Sequence, residues 1–230
     1  MHSRSDTLYT GPKGAQYFEQ RGSSRTDTVQ KCRARLFEDF SSHTDVVLDF
    51  GCGTGSILSC LPAMKRIGVE INETAAKQAS AHLDLVVGSF ADIPSSTIDK
   101  IISYHALEHV DSPSTVLREM LRVLKPSGEM KVFVPCEMPI IAPQHRSWSN
   151  NPHMHLHSWT PLTLGNLFTV LGFEVTAARM LPGSEGGRLG ALFPKDSALR
   201  KAAAFLKACR TGRFHTAVTA RAPADLQHDS

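Results

Sequence analysis

Five short apolar runs alternate with helix-patterned stretches along the middle of the chain, and no other feature narrows the possible folds so far. The runs are VVLDF at 46–50, MKRIGVEI at 64–71, LDLVVG at 83–88, IDKIISY at 98–104 and GEMKVFVP at 128–135. Strands buried on both faces read as near-continuous apolar segments, and their alternation with helices marks a parallel sheet joined by crossover helices. The helix after the fourth run has Ser112 as N-cap, Pro113 at its first position, and Val116, Leu117, Met120, Leu121 and Leu124 on one face before Pro126. A second starts at Thr160 and Pro161, carries Leu164, Leu167, Phe168 and Leu171 as its stripe, and ends at Gly172. Late strands are expected at 173–180 and 214–222, with a helix at 197–210 between them. A further amphipathic helix is expected at 27–40, from Val29, Cys32, Leu36, Phe37 and Phe40.

With 230 residues, 41% hydrophobic and 20% charged, the chain can bury one sizeable core, which excludes disordered and fibrous classes. A formal charge of +3 is too small to mark a nucleic-acid binder. The first residues lack the apolar stretch of a signal peptide, and no apolar run reaches the roughly 18 residues of a membrane span. The five cysteines are scattered without a C-x-x-C pair. They suggest neither a disulfide framework nor a zinc knuckle, and a reducing cytoplasm is the expected compartment.

The first run carries Asp49 next to its end and passes through Phe50 into Gly51, Cys52, Gly53 and Gly55. A glycine turn after the first strand of such a sheet lets backbone approach a ligand at the carboxyl edge. The dinucleotide fingerprint G-x-G-x-x-G fails because Ser56 holds the sixth position, which disfavours a nicotinamide oxidoreductase. A triphosphate-binding P-loop fails because no lysine follows before Lys65.

The stretch VLDFGCGTG resembles the first motif of the class I S-adenosylmethionine-dependent methyltransferases. RIGVEIN resembles the end of the family's second strand, and VVGSFADIP its third motif. IDKIISYHALEHVDSPSTVLREMLRVLKPSGEM resembles the fourth strand, its loop, and the helix and strand beyond in the small methyltransferases with an L-E-H loop. LHSWTPLTLGNLFTVLGFEV resembles a later family stretch, so the likeness spans about residues 44–180. It implies an α/β, Rossmann-like, doubly wound sheet of seven strands, mostly parallel, with an antiparallel last strand. It also implies S-adenosyl-L-methionine as cofactor, with Asp49, Gly51, Cys52, Gly53 and Gly55 at the methionine end. Glu70, followed by Ile71, would hold both ribose hydroxyls. Ser89 stands where the family's adenine-side acid would be, so adenine contacts fall to the Phe90 amide, the Phe90 ring and Asp92. Tyr104 and His105 would border the methyl group.

Residues 1–43 would cover the cofactor site, with Tyr9, Tyr17 and Phe18 offering aromatic faces and Arg21 or Arg25 pairing with the methionine carboxylate. Residues 44–222 would form the methyltransferase domain, 136–160 an acceptor-side lid, and 223–230 a tail. The acceptor is expected to be a small or sugar-like molecule methylated at oxygen; nitrogen methylation and a non-catalytic scaffold subunit are the rivals. An alcohol needs a base, for which His105, His109 and His157 are candidates, with Glu108 beside them. His153, His155 and His157 alternate, so an extended chain would turn them to one side, where a metal or an acceptor are competing partners. No metal is assigned there. Neither a nucleic acid nor a membrane is expected as a partner, and the oligomeric state is left open.

Overall fold

The computed structural model describes residues 9–21, 33–136, 154–183, 192–194 and 197–226. Seven strands form one sheet: β1 (Val46–Phe50), β2 (Lys65–Val69), β3 (Leu85–Val87), β4 (Ile98–Tyr104), β5 (Leu124–Pro135), β6 (Glu174–Pro182) and β7 (Phe214–Arg221). Their order across the sheet is β3-β2-β1-β4-β5-β7-β6. β1 pairs in parallel with β2 and β4, and β7 runs antiparallel to both β5 and β6. This is the doubly wound sheet with a reversed last strand that the sequence implied. The helices are α1 (Gly11–Arg21), α2 (Glu73–Ala79), α3 (Pro113–Val123), α4 (Pro161–Val170) and α5 (Ala198–Thr211). Among the described residues no helix is long and apolar enough to cross a membrane.

Side chains alternate across a strand, so each central strand feeds two cores. Leu48, Ile101, Val132 and Val218 join one cluster with Leu117, Met120 and Val123 of α3 and Leu164 and Phe168 of α4. Val47, Ile102, Phe133 and Ala217 join the other, with Phe37, Leu58 and Ala79. Full burial of each such aliphatic or aromatic side chain is worth roughly 1.5–3 kcal/mol, and most of these are fully buried. α4 is fixed at its start by a reciprocal capping box between Thr160 and Thr163, as the Thr-Pro signal predicts, and Gly172 closes it at φ +93°. Ser112 precedes α3 as expected but makes no side-chain cap bond; its hydroxyl pairs with Thr115 instead.

Two expectations change. The helix expected at 27–40 lies partly outside the described residues, and its described end is a tight 3₁₀ turn at Arg35–Phe37. There Phe37 is buried edge-on against Phe133, and Asp39 at φ +62° turns the chain away before Phe40. β5 begins four residues early: Leu124 pairs with Ile98 across an irregular step that Pro126 and Ser127 had disguised as a loop.

Candidate active site

At the carboxyl edge the glycine loop folds back on β2. The amides of Gly51 and Cys52 both donate to the Val69 carbonyl, at 2.9 and 3.3 Å. Gly51, Gly53 and Gly55 have φ of +70°, +55° and +75°, a region that L side chains rarely enter. At Gly51 space is closed as well, because an added Cβ would lie 2.4 Å from the Ala106 Cβ. At Gly53 the same construction meets nothing within 4 Å, so this residue faces open space above the loop.

Glu70 ties the loop to the end of β2. Its Oε2 accepts from the Gly53 amide at 2.9 Å and its Oε1 from the Asn72 amide at 2.8 Å. A carboxylate offers about four acceptor sites, so Glu70 keeps capacity for a ligand hydroxyl. Burial pushes the Glu70 carboxyl above its ordinary range, with the Asn72, Gly53 and Ile71 amides pulling the other way. Asp49, 2% exposed, is pushed well up by burial and then by the charge of Glu70. The Cys52 thiol is raised too, by burial and by both acids, and packs against Gly68, so it is no nucleophile.

Asn72 is a residue that sequence reading passed over. Its Oδ1 caps α2 at the Ala75 amide, while its Nδ2 donates to the Tyr9 and Gly14 carbonyls at 2.9 and 2.8 Å. The segment carrying Tyr9 and α1 is thereby pinned two residues beyond Glu70. Ser89 accepts from the Ala91 amide and so caps the Phe90–Asp92 turn. The Phe90 ring corrects the expectation of a stacking platform: it is 6% exposed and lies parallel to Phe50 at 5.6 Å inside the core. Only its backbone remains for a ligand. Ile71 and Asp92 are exposed nearby.

The other half of the edge gathers histidines. His105 follows β4 at φ +55°, stacks on Tyr104 at 4.3 Å, and shares a 2.9 Å bond between its Nε2 and His215 Nδ1. Arg33 lies over the Tyr104 ring at 5.1 Å. His215 was also missed, although its place has a simple cause: β7 is antiparallel, so its first residues share an edge with the last residues of β4 and β5, and His215 pairs with Pro135. His109 Nδ1 bonds the Tyr9 hydroxyl at 2.9 Å. His157 corrects the expectation of a base, because its Nε2 donates to the Val110 carbonyl at 2.9 Å and serves to brace the loop. Nor do the alternating histidines share one partner: His155 turns to Glu108, at 4.0 Å, and His157 to Val110. His153, Arg25 and the side chain of Arg21 lie outside the described residues.

Burial, and then the Arg33 charge, lowers His215 to about 4. Its folded value lies below the unfolded one, so the stability it confers is complete above about pH 6.5 and is lost as pH falls toward 4. In urea titrations, wild type should therefore lose on the order of 2 to 3 kcal/mol more than His215→Gln between pH 7 and pH 4.5. Equal losses would remove His215 from the acid response.

A family model described as a methyltransferase domain matches residues 48–132, from β1 into β5. Over that stretch the chain is similar to a methyltransferase domain. A protein of Mycolicibacterium smegmatis named "Probable S-adenosylmethionine-dependent methyltransferase" is 27% identical to it over 136 residues, 56% of this chain and 52% of that one. The mitochondrial ubiquinone biosynthesis O-methyltransferase of Candida albicans is 28% identical over 138 residues, 54% of this chain and 42% of that one. The chain thus spans about half, or less, of the length of these relatives. Among solved structures, a chain from the complex of the Haloferax volcanii Trm112 methyltransferase activator with a methyltransferase aligns over 98% of this chain and 100% of its own. Its TM-score is 0.69 at 20% identity, a likeness of fold.

The Mycolicibacterium smegmatis relative is named for its dependence on S-adenosylmethionine. The edge suits it chemically. Two buried carboxylates, each held up by burial, gain most from a neighbouring cation, and this cofactor carries one at its sulfonium and another at its ammonium. Open space above Gly53 and spare acceptor capacity on Glu70 match its methionine end and its ribose.

Proposed function

We propose that the protein is a cytoplasmic enzyme that transfers a methyl group from S-adenosylmethionine to an oxygen of a small or sugar-like acceptor. One observation carries this reading: the contact between Gly51 and Ala106 sets the acidic loop of Asp49 and Glu70 directly beside the histidine pair His105 and His215. In this reading Gly51, Cys52, Gly53 and Gly55 lie under the methionine end, with Asp49 behind them. Glu70 takes the ribose, and Ile71, Ser89, the Phe90 amide and Asp92 border the adenine. Residues 1–43 cover the cofactor, with Arg21 and Arg25 toward its carboxylate. Residues 44–222 are the catalytic unit, 136–160 its lid and 223–230 a tail.

Bound cofactor supplies a methyl group already activated as a sulfonium. The chain's task is then alignment, with reacting atoms brought to roughly 3–3.5 Å, and removal of the hydroxyl proton. His105 suits the second task. When its Nε2–H donates to neutral His215 Nδ1, its own Nδ1 is the basic nitrogen, 3.9 Å from Glu108 Oε1, whose charge favours the imidazolium that forms. His109 borders the same space, and His157 positions the loop. The oxygen target finds support in the Candida albicans relative, named as an O-methyltransferase.

Calorimetry with S-adenosylmethionine, S-adenosylhomocysteine and NAD tests the cofactor half. Binding of the first two and silence toward NAD is expected; the reverse overturns the reading. Because Asp49 and Glu70 stand above their ordinary values of 3.8 and 4.5, a bound cation should lower both. Affinity for S-adenosylmethionine therefore rises with pH through the window above those values, and binding releases protons there. Two buffers of different ionisation enthalpy read that release, and a proton count of zero throughout the window would contradict it. An acceptor screen that yields O-methylated product supports the rest, whereas N-methylated product, or cofactor binding without turnover, favours the rival readings.

A further inference from the structure

The turn Leu107–His109 and the strip Met154–His157 are stitched together. The amides of Leu156 and His157 both donate to the Glu108 carbonyl, at 2.9 and 3.3 Å, and His157 closes on the Val110 carbonyl. The stitching delivers His155 to the Glu108 side chain, which is 1% exposed. Glu108 Oε1 then lies 3.8 Å from His109 Nε2 and 4.0 Å from His155 Nε2, and the two imidazole rings meet edge-on at 4.8 Å. A ligand atom of each of the three residues falls within 4.8 Å of the others.

We propose that Glu108, His109 and His155 bind one zinc-like divalent ion, next to the acceptor side of the site. These separations are long for direct hydrogen bonds. They suit an ion drawn in between the groups: tetrahedral bonds of about 2.0–2.2 Å hold ligand atoms roughly 3.3 to 3.6 Å apart, so side-chain rotations that close these gaps complete the set. Two imidazoles and one carboxylate select a borderline metal over magnesium or calcium, which take oxygen donors. Three protein ligands also leave a coordination position open, the arrangement of catalytic rather than structural zinc. His109 has the support a ligand needs, since its second ring nitrogen is held by the Tyr9 hydroxyl at 2.9 Å. The open position would take an acceptor hydroxyl and lower its pKa, so that its proton passes to His105 Nδ1 as the methyl arrives and the sulfonium departs as a neutral thioether. This role rests on the oxygen-methylation reading; the binding of the ion does not.

The full chain, stripped with a chelator, is titrated with cobalt(II) chloride by visible absorption and with zinc chloride by calorimetry. One ion per chain, with cobalt bands of low-symmetry coordination, is expected. His155→Ala should abolish the bands, and Tyr9→Phe should weaken zinc binding about tenfold by freeing the His109 ring. Glu108→Gln is the sharpest variant but removes a buried charge; His155→Ala, checked by retained S-adenosylmethionine binding, keeps the test independent of folding. Absence of metal binding in wild type, or wild-type binding by both His155→Ala and His109→Ala, overturns the site. Failure of S-adenosylmethionine to bind wild type would instead refute the cofactor reading and leave the metal result standing.

Discussion

Gly51→Ala should destabilise the protein by about 2 to 5 kcal/mol and cost it cofactor affinity. Two independent costs meet at this position. A non-glycine residue at φ +70° costs roughly 1–2 kcal/mol. The new Cβ would sit 2.4 Å from the Ala106 Cβ, where carbon atoms prefer about 3.5–4.0 Å, and overpacking of that kind costs typically 1–3 kcal/mol more. Neither neighbour yields easily. Gly51 is bonded to Val69, and Ala106 is held between His105 and the buried Leu107. The sum is a large part of the roughly 5–15 kcal/mol that holds a typical domain together. Gly53→Ala is the informative companion, because its Cβ meets no protein atom. Stability should fall only by the backbone cost, while cofactor affinity falls by far more. Denaturant midpoints and calorimetry on the two variants measure both halves, and a Gly51→Ala protein within about 1 kcal/mol of wild type would refute the close contact.

Glu70→Ala should weaken S-adenosylmethionine binding by roughly ten- to hundredfold, the 1.5–3 kcal/mol of lost hydrogen bonds to a charged group. Stability of the free protein should move less. The carboxylate is held above its ordinary range by burial, so its removal relieves a cost while orphaning the amides of Gly53 and Asn72. These opposing terms should leave the folded state within about 1 kcal/mol of wild type. An unchanged dissociation constant would place the ribose elsewhere. A collapse of stability matching the loss of affinity would show instead that Glu70 acts mainly by holding the glycine loop.

The two halves of the site differ in how legible they were. Everything assigned to the cofactor, apart from Tyr104, His105 and the N-terminal arginines, lies between Asp49 and Asp92, where strand ends and turns succeed one another in the chain. The family resemblance, carried by motifs close in the chain, could therefore bring Asp49, Gly51 and Glu70 together, and β1 and β4 have the bounds the apolar runs suggested. Phe90 escaped because spacing says which residue occupies a turn and not which way its ring points; packing against Phe50 decided that. The histidine half is assembled from Tyr9, His105 to His109, His155 and His215, which only the folded topology unites. The partnership of His105 and His215 depends on the direction of β7. An antiparallel last strand implies it, once one asks which residue stands at that strand's beginning.

Asn72 has a mechanical consequence. From Glu70 through Asn72 to the Tyr9 carbonyl, and on through the Tyr9 hydroxyl to His109, each link is a hydrogen bond of 2.8 to 2.9 Å or a short stretch of covalent backbone or ring. Such a linkage has little slack. Lifting the Tyr9 segment would strand two amide protons of a side chain that is 6% exposed, at about 1–3 kcal/mol for each buried group left unsatisfied. A displacement at Glu70 is thus transmitted, like tension along a taut cord, to the His109 imidazole on the other side of the edge.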